Sequence, residues 1–406
     1  MSRALGALGL VFLAACAPLP TVTPPPTAAP FIATLPPTVP APSPFDEGGP
    51  GDHAIGPDDA YLTIMVYCDF QSPPCAEVSA HLAALRKRYA DAGGVRTVWR
   101  HLPQTDVNDK AGLALQASEA AHVQGAFWPM HDLLLQRQAA WVGQTPEAFR
   151  GTLAAYAAEL GLDVDAFNAA LDAGTFAPLV DEARARAASF GLADAPVLGF
   201  NGVRYRSGLQ LWALDSVTRA VLLEQRWYPD APTLIIDLEA EYRATLVTEK
   251  GDIVIELFVA QAPAAANNFV FLAREGWFDG NTFFNVTNQM AVTGDPTDTG
   301  LGGPGYHIID EADNGLTFAE PGMVAMLRPL DRPNSAGSQF FITKDALPAE
   351  FDGRYTIFGR VTAGMETVLA LTLRDPFTDP PPPSGDRIEY VVIDQIGGDV
   401  TDGVGD

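Results

Sequence analysis

Basic residues are scarce in this chain of 406 residues: 25 lysines and arginines face 50 aspartates and glutamates, a formal charge of −25. Such a surface repels phosphate backbones and anionic lipid, and no basic cluster exceeds Arg86-Lys87-Arg88, which excludes nucleic acid as a partner. Cysteine is rarer still, with three in all. The six histidines are scattered, none at a metal-ligand spacing from Cys, Asp or Glu, so no metal is assigned. Asp295 with Asp298, and the acidic stretch from Asp399 to Asp406, lack the ordered spacing of a calcium loop. There is no glycine-rich phosphate loop and no G-x-S-x-G elbow, and no cofactor is expected.

What is present argues for folded domains on a tether. A hydrophobic content of 47% over this length supports large cores and two or three domains. Residues 1–16 combine Arg3, an apolar run from Ala4 to Ala15, and Leu13-Ala-Ala-Cys16. The run is too short to cross a bilayer as a helix. It resembles a bacterial lipoprotein signal, which implies that Cys16 is lipidated and anchors the chain to the membrane outside the cytoplasm. Ordinary secretion with cleavage elsewhere is the alternative. Residues 17–56 turn to Pro, Thr, Ala and Ser, including Pro24-Pro-Pro26, and read as an extended linker that cannot bury a core.

Residues 57–225 form the next unit. Leu62 to Cys68 is an apolar strand candidate, and Val78, Leu82 and Leu85 give the following segment helical spacing. Ser72 is placed to cap that helix and Pro73 to occupy its first turn. A second strand, Val95 to Leu102, leads into Ala-rich helices, so the order of elements argues an α/β domain with a helical insertion. The segments Asp69-Phe-Gln-Ser-Pro-Pro-Cys75, Gln124-Gly-Ala-Phe-Trp-Pro-Met-His-Asp132 and Asp194-Ala-Pro-Val-Leu-Gly-Phe-Asn-Gly202 resemble the DsbA-like branch of the thioredoxin superfamily. The resemblance implies that Pro196 is the cis-proline of the active site and that Ser72 and Cys75 occupy its C-x-x-C positions. A serine hydroxyl cannot form or resolve a mixed disulfide, so thiol-disulfide exchange is disfavoured. Cys68 shares a strand face with Val66, and Cys68 and Cys75 are expected as two free, buried core thiols; a disulfide between them is the alternative.

Residues 226–241 read as a connector, 242–398 as a mainly-β domain and 399–406 as an acidic tail. Many short strands with one or two helices argue a closed barrel. Within Asn334-Ser-Ala-Gly-Ser-Gln-Phe-Phe-Ile-Thr343, strand parity puts Gln339 and Phe341 on one face, an amide beside an aromatic ring suited to an extended peptide. Gly337-Ser-Gln-Phe-Phe-Ile342, Gly294-Asp295-Pro296, Gly302-Gly-Pro-Gly-Tyr306 and Phe351-Asp-Gly-Arg-Tyr-Thr-Ile-Phe-Gly-Arg-Val361 resemble the cyclophilin family of peptidyl-prolyl isomerases.

That resemblance implies proline-containing polypeptides as partners and a groove of Met290, Leu327, Arg328, Gln339, Phe341, Phe351 and Tyr355. It also implies that Asn285, in Phe283-Phe-Asn-Val286, stands where the family has its catalytic arginine, with Gln289 replacing an aromatic and Val292 a glutamine. Two functions compete on these residues: an extracytoplasmic isomerase weakened at Asn285, and a catalytically degenerate, chaperone-like peptide-binding lipoprotein. Arg328 is expected at the solvated edge of the groove.

Overall fold

The structure, a computed structural model, describes residues 43–46, 52–376, 378 and 382–397. Cys16, most of the Pro-rich linker and the acidic tail lie outside the described residues. The first half holds strands β1 (His53–Ile55), β2 (Leu62–Cys68), β3 (Val95–His101), β4 (Val197–Phe200) and β5 (Val203–Arg204) in one sheet of order β1-β3-β2-β4-β5. Strands β2 and β3 run parallel, and the crossover between them is helix α1 (Pro73–Arg88). Helices α2 (Ala111–Val123), α3 (Phe127–Gln136), α4 (Gln138–Trp141), α5 (Pro146–Glu159), α6 (Val164–Asp172) and α7 (Ala177–Ser189) form the insertion between β3 and β4. Helix α8 (Leu211–Leu223) closes this half.

Every residue of β2 is buried, as a central strand covered on both faces requires. Leu62, Ile64, Val66 and Cys68 pack with Val78, Leu82 and Leu85 of α1, while Met65 and Tyr67 point to the opposite cluster with Ala187 of α7. The period-two alternation of β2 thus builds two cores at once.

Three expectations need correction here. The folded region begins before residue 57, because His53–Ile55 pairs with β3 and Phe45 is buried among Met65 and Tyr67. Ser72 stands at the N-cap of α1 with extended backbone, but its side chain makes no cap hydrogen bond; Pro73 does open the helix. Cys68 and Cys75 are not free thiols but a disulfide. The short turn from β2 into α1 brings their Cα atoms to 5.7 Å, well inside the span a disulfide bridges, and both sulfurs sit in the core.

In the second half, strands β6 (Glu241–Thr248), β7 (Gly251–Leu257), β8 (Asn285–Val286), β9 (Met290–Thr293), β10 (Met323–Met326), β11 (Phe340–Thr343), β12 (Ile357–Ala363) and β13 (Ile388–Ile396) form a curled sheet of order β13-β6-β7-β12-β10-β11-β9-β8. Its two ends are drawn together beside β8 and β13 by the Thr282–Arg387 bridge and by hydrogen bonds from Gly280 N to Ile388 O and Phe283 N to Asp386 O. Helix α9 (Pro263–Arg274) fills the interior with Phe269 and Leu272, and α10 (Met365–Ala370) lies near β7.

The end of α8 and the connector are both anchored to the second half. Leu223 at the end of α8 joins the barrel core, Arg219 donates to the Thr297 carbonyl, and Tyr228 N donates to Pro304 O at 2.9 Å. In its apolar run, Ile236 is buried while Leu234 and Leu238 stay exposed.

Candidate functional site: a peptide groove and a closed thioredoxin-like site

Strand register assembles the groove. Asn285 on β8 faces Val292 on β9, Val292 faces Phe341 on β11, Phe341 faces Ala325 on β10, and Ala325 faces Ile357 on β12. Directly paired residues share a sheet face, so these five form one row on one surface of the sheet. Their neighbours Phe340 and Ile342 belong to the barrel core. The row's apolar members join Phe284, Phe318, Met323 and Leu347 in a separate cluster, and Met290, Leu327, Phe351 and Tyr355 pack against it half-buried.

The rings are held in place by one another. Phe341 stacks on Phe318 at 5.7 Å and meets Tyr355 edge-on at 5.3 Å, and Phe351 lies nearly parallel to Tyr355 at 6.4 Å. Such offset and edge geometries favour a fixed floor. The structure brings Met290, Leu327, Phe341, Phe351 and Tyr355 together in one cluster. Phe318, the other half of the floor, went unnoticed because nothing local distinguishes it.

At the end of the row stands Asn285, half-buried, its amide without a hydrogen-bond partner among the described residues. Arg374 lies beside it and Arg328 lines the pocket next to Gln339, and both are committed. Arg374, which lines a surface hollow with Asn285, donates to the Phe284 carbonyl, to Pro383 O at 2.7 Å, and pairs with Asp298 at 3.3 Å. Arg328 is not a solvated edge residue. Its side chain is 10% exposed, pairs with Asp310 at 2.9 Å and donates to Arg354 O at 2.9 Å, so the loop that shields it also fixes it.

Gln339 gives one end of its amide to the neighbouring loop. Its Nε2 donates to Gly300 O at 3.1 Å and Gly302 O at 2.8 Å, which leaves Oε1 as the end able to accept a peptide N–H. The same loop is gripped from within by buried Asp295, which accepts from Thr297 N, Gly300 N and Gly302 N. A side chain at position 302 would collide with that carboxylate. Asp295 and Asp298 are thus structural acceptors rather than a cation pair.

The thioredoxin-like site is closed to exchange. The Ala195–Pro196 bond is cis. Cys68 and Cys75 are 1% and 0% exposed, and Asp69 N donates to Cys75 Sγ at 3.3 Å. Asp69 is buried, which pushes its carboxyl up, while Asn108 Nδ2 and the amides of Gln104 and Gln71 partly offset this. The Ser72 hydroxyl has no hydrogen-bond partner among the described residues, so no base is placed to activate it.

Folding also joins three residues that sequence spacing had kept apart: His53, His101 and Glu119 are buried with their ligating atoms within 4.8 Å of one another. The indole N–H of Trp99 donates to His101 Nδ1 at 3.2 Å. The His101 proton therefore sits on Nε2 and is donated to Glu119 Oε1 at 2.8 Å. His53 Nε2 meets the same oxygen at 2.7 Å. Burial pushes the Glu119 carboxyl up, but the bonds from His101 and His53 outweigh it and hold the group down at about 2. A metal would need the His101 Nε2 lone pair, so the trio does not fit a metal ion; it clamps β1 and β3 to α2.

Residues 243–392 match the family described as Cyclophilin type peptidyl-prolyl cis-trans isomerase/CLD, and residues 49–217 match the family Thioredoxin. The peptidyl-prolyl cis-trans isomerase-like 1 of Gibberella zeae is 42% identical over 133 residues, covering 32% of this chain and 80% of that protein. A Na(+)/H(+) antiporter NhaA 3 of Salinispora tropica is 35% identical over 205 residues, 50% of this chain, and the chain spans only 28% of its length. A crystal structure of a cyclophilin type peptidyl-prolyl cis-trans isomerase of Cryptosporidium parvum in the presence of dipeptide ala-pro is 32% identical, covering 39% of this chain and 99% of that one, with a TM-score of 0.34. With a thioredoxin-like domain in its middle and the groove built on residues 243–392, the chain belongs to the cyclophilin-type peptidyl-prolyl cis-trans isomerases.

Proposed function

We propose that the groove binds proline-containing polypeptides and isomerises their X-Pro bonds slowly, as part of a protein-folding factor held outside a bacterial cytoplasm by lipid on Cys16. The observation that carries the slow rate is the row Asn285–Val292–Phe341. Rotation about X-Pro is opposed by amide resonance, with a barrier of roughly 20 kcal/mol. Lowering it needs no nucleophile. It needs a floor for the proline ring, an anchor for the flanking backbone, and a donor to the amide nitrogen as the bond twists and the lone pair returns.

The floor is present in Phe341, Phe318, Met290 and Tyr355, and Gln339 Oε1 offers the anchor. The donor is the weak part. Asn285 is short and neutral, and the loss of a charged donor in a dry site costs about 2 to 4 kcal/mol, roughly 10²- to 10³-fold in rate. The Gibberella zeae relative is an isomerase by name and the Cryptosporidium parvum protein was crystallised with Ala-Pro; both support proline peptides as the ligand class. A second reading, a non-catalytic chaperone-like binder, is favoured by Asn285 together with Ser72.

Dithiol chemistry has no support in the DsbA-like half, since the exchanging position is Ser72 and the remaining sulfurs are bonded and buried. The test of activity is proline-isomerisation and peptide binding by the wild type beside Asn285→Arg. The test of anchoring is metabolic lipid labelling of the wild type and Cys16→Ser: label lost from the variant supports the anchor, and equal labelling removes it.

A further inference from the structure

One wall of the groove's side pocket comes from outside the cyclophilin-type domain. Next to the proline floor lies a cavity of about 450 Å³ lined by Leu327, Arg328, Gln339 and the loop from Gly300 to His307, with Trp227 as one further side. Leu327 and Gln339 link the two spaces, because Leu327 also packs in the Phe341 cluster and Gln339 stands two residues before Phe341. Trp227 belongs to the connector, upstream of the matched residues 243–392.

Its position is built. On one side Arg226 lies over the Trp277 ring at 5.3 Å, and on the other Tyr228 N bonds Pro304 O at 2.9 Å while its ring meets Phe271 at 5.0 Å. Between these anchors the base of the indole lies against Gly305. A Cβ there would fall 2.6 Å from Trp227 Cβ and 2.7 Å from Cγ, and Gly305 has φ +91°, so the loop is shaped for this ring. Despite that, Trp227 is 49% exposed, and Leu301 on the same rim is 63% exposed. Its indole N–H has no partner among the described residues.

An anchored, half-exposed tryptophan beside exposed Leu301, in a lining whose Arg328 is already paired with Asp310, suits an apolar partner. We infer that Trp227 is a specificity-determining residue, which receives an aromatic or large aliphatic side chain flanking the proline of the bound peptide. The inference rests on the groove reading above and is tested so that the two can fail separately.

The soluble chain is titrated with Ala-Pro peptides carrying either Phe or Gly at the flanking positions, and separately with N-acetyl-phenylalanine amide, which contains no proline. The ¹⁵N indole resonance of Trp227, identified by its absence in Trp227→Phe, is followed throughout. The Phe-flanked peptide is expected to bind tighter than the Gly-flanked one, and Trp227→Ala to weaken the first by roughly three- to tenfold while leaving the second unchanged. Trp227→Phe keeps a ring and retains most of the preference. A Trp227 resonance that moves with N-acetyl-phenylalanine amide, while no proline peptide binds, keeps this inference and removes the groove reading. A resonance unmoved by every ligand, or equal weakening of both peptides by Trp227→Ala, overturns it.

Discussion

The groove ends on Asn285 and the thioredoxin-like site on Ser72, two neutral side chains, but what surrounds them differs. Around Asn285 stand a ring floor, an adjoining pocket, and an amide with no hydrogen-bond partner among the described residues. Beyond Ser72, Cys75 is bonded to Cys68 and buried in the core. A pocket missing a donor can still bind, because binding draws on the floor and the rate on the donor. A buried, bonded pair of sulfurs ties β2 to α1 and is shielded from exchange partners.

The largest expected effect separates floor from scaffold. Phe341→Ala should abolish peptide binding and lower stability by about 3 to 5 kcal/mol, because a fully buried ring is removed from a packed cluster. Calorimetric titration and thermal unfolding measure the two. Retained binding would show that the groove is not where peptides sit. Next comes the disulfide: replacing Cys68 and Cys75 by alanine should cost about 2 to 3 kcal/mol, the value for closing a short loop, with no dithiol turnover before or after. Turnover of a model dithiol by the wild type would make the two sites alike after all.

A smaller effect is set by pH in the clamp of the thioredoxin-like half. Burial lowers the His101 pKa, so the unfolded chain binds a proton there first and stability falls as pH drops below the ordinary histidine range. The Glu119 carboxyl is held at about 2 against an ordinary 4.5, so its contribution, full above 4.5, is lost as pH falls from there toward 2. Glu119→Gln should flatten this acid limb in urea-unfolding curves. An unchanged limb would place the acid sensitivity elsewhere. The smallest effect is Arg328→Lys, which should leave the isomerisation rate unchanged because the guanidinium already spans Asp310 and Arg354 O.

How much of this was legible in the sequence follows from range. The faces of β11 were, because Phe340 and Phe341 must point opposite ways in any strand. That Cys68 shares a face with Val66 was legible by the same parity, whereas its bond to Cys75 depended on a turn geometry that sequence does not carry. Pro73 at the start of α1 was local and was read; Arg328 was misread because its partners Asp310 and Arg354 are distant along the chain. His53, His101 and Glu119 come from three separate elements, so no spacing could announce them. Trp227 escaped for another reason: it lies in a stretch that reads only as a connector, and its partner Gly305 looks like any loop glycine.

The central claim is that pocket and donor have been separated in the groove, and one measurement tests it directly: exchange NMR on an Ala-Pro peptide, giving affinity and isomerisation rate from the same titration for the wild type and Asn285→Arg. The account predicts weak but measurable binding by both. It also predicts slow exchange by the wild type and a rate raised toward 10²-fold by the arginine, about 2 to 3 kcal/mol of transition-state stabilisation, with little change in affinity. Fast exchange by the wild type, insensitive to substitution at Asn285, would contradict it.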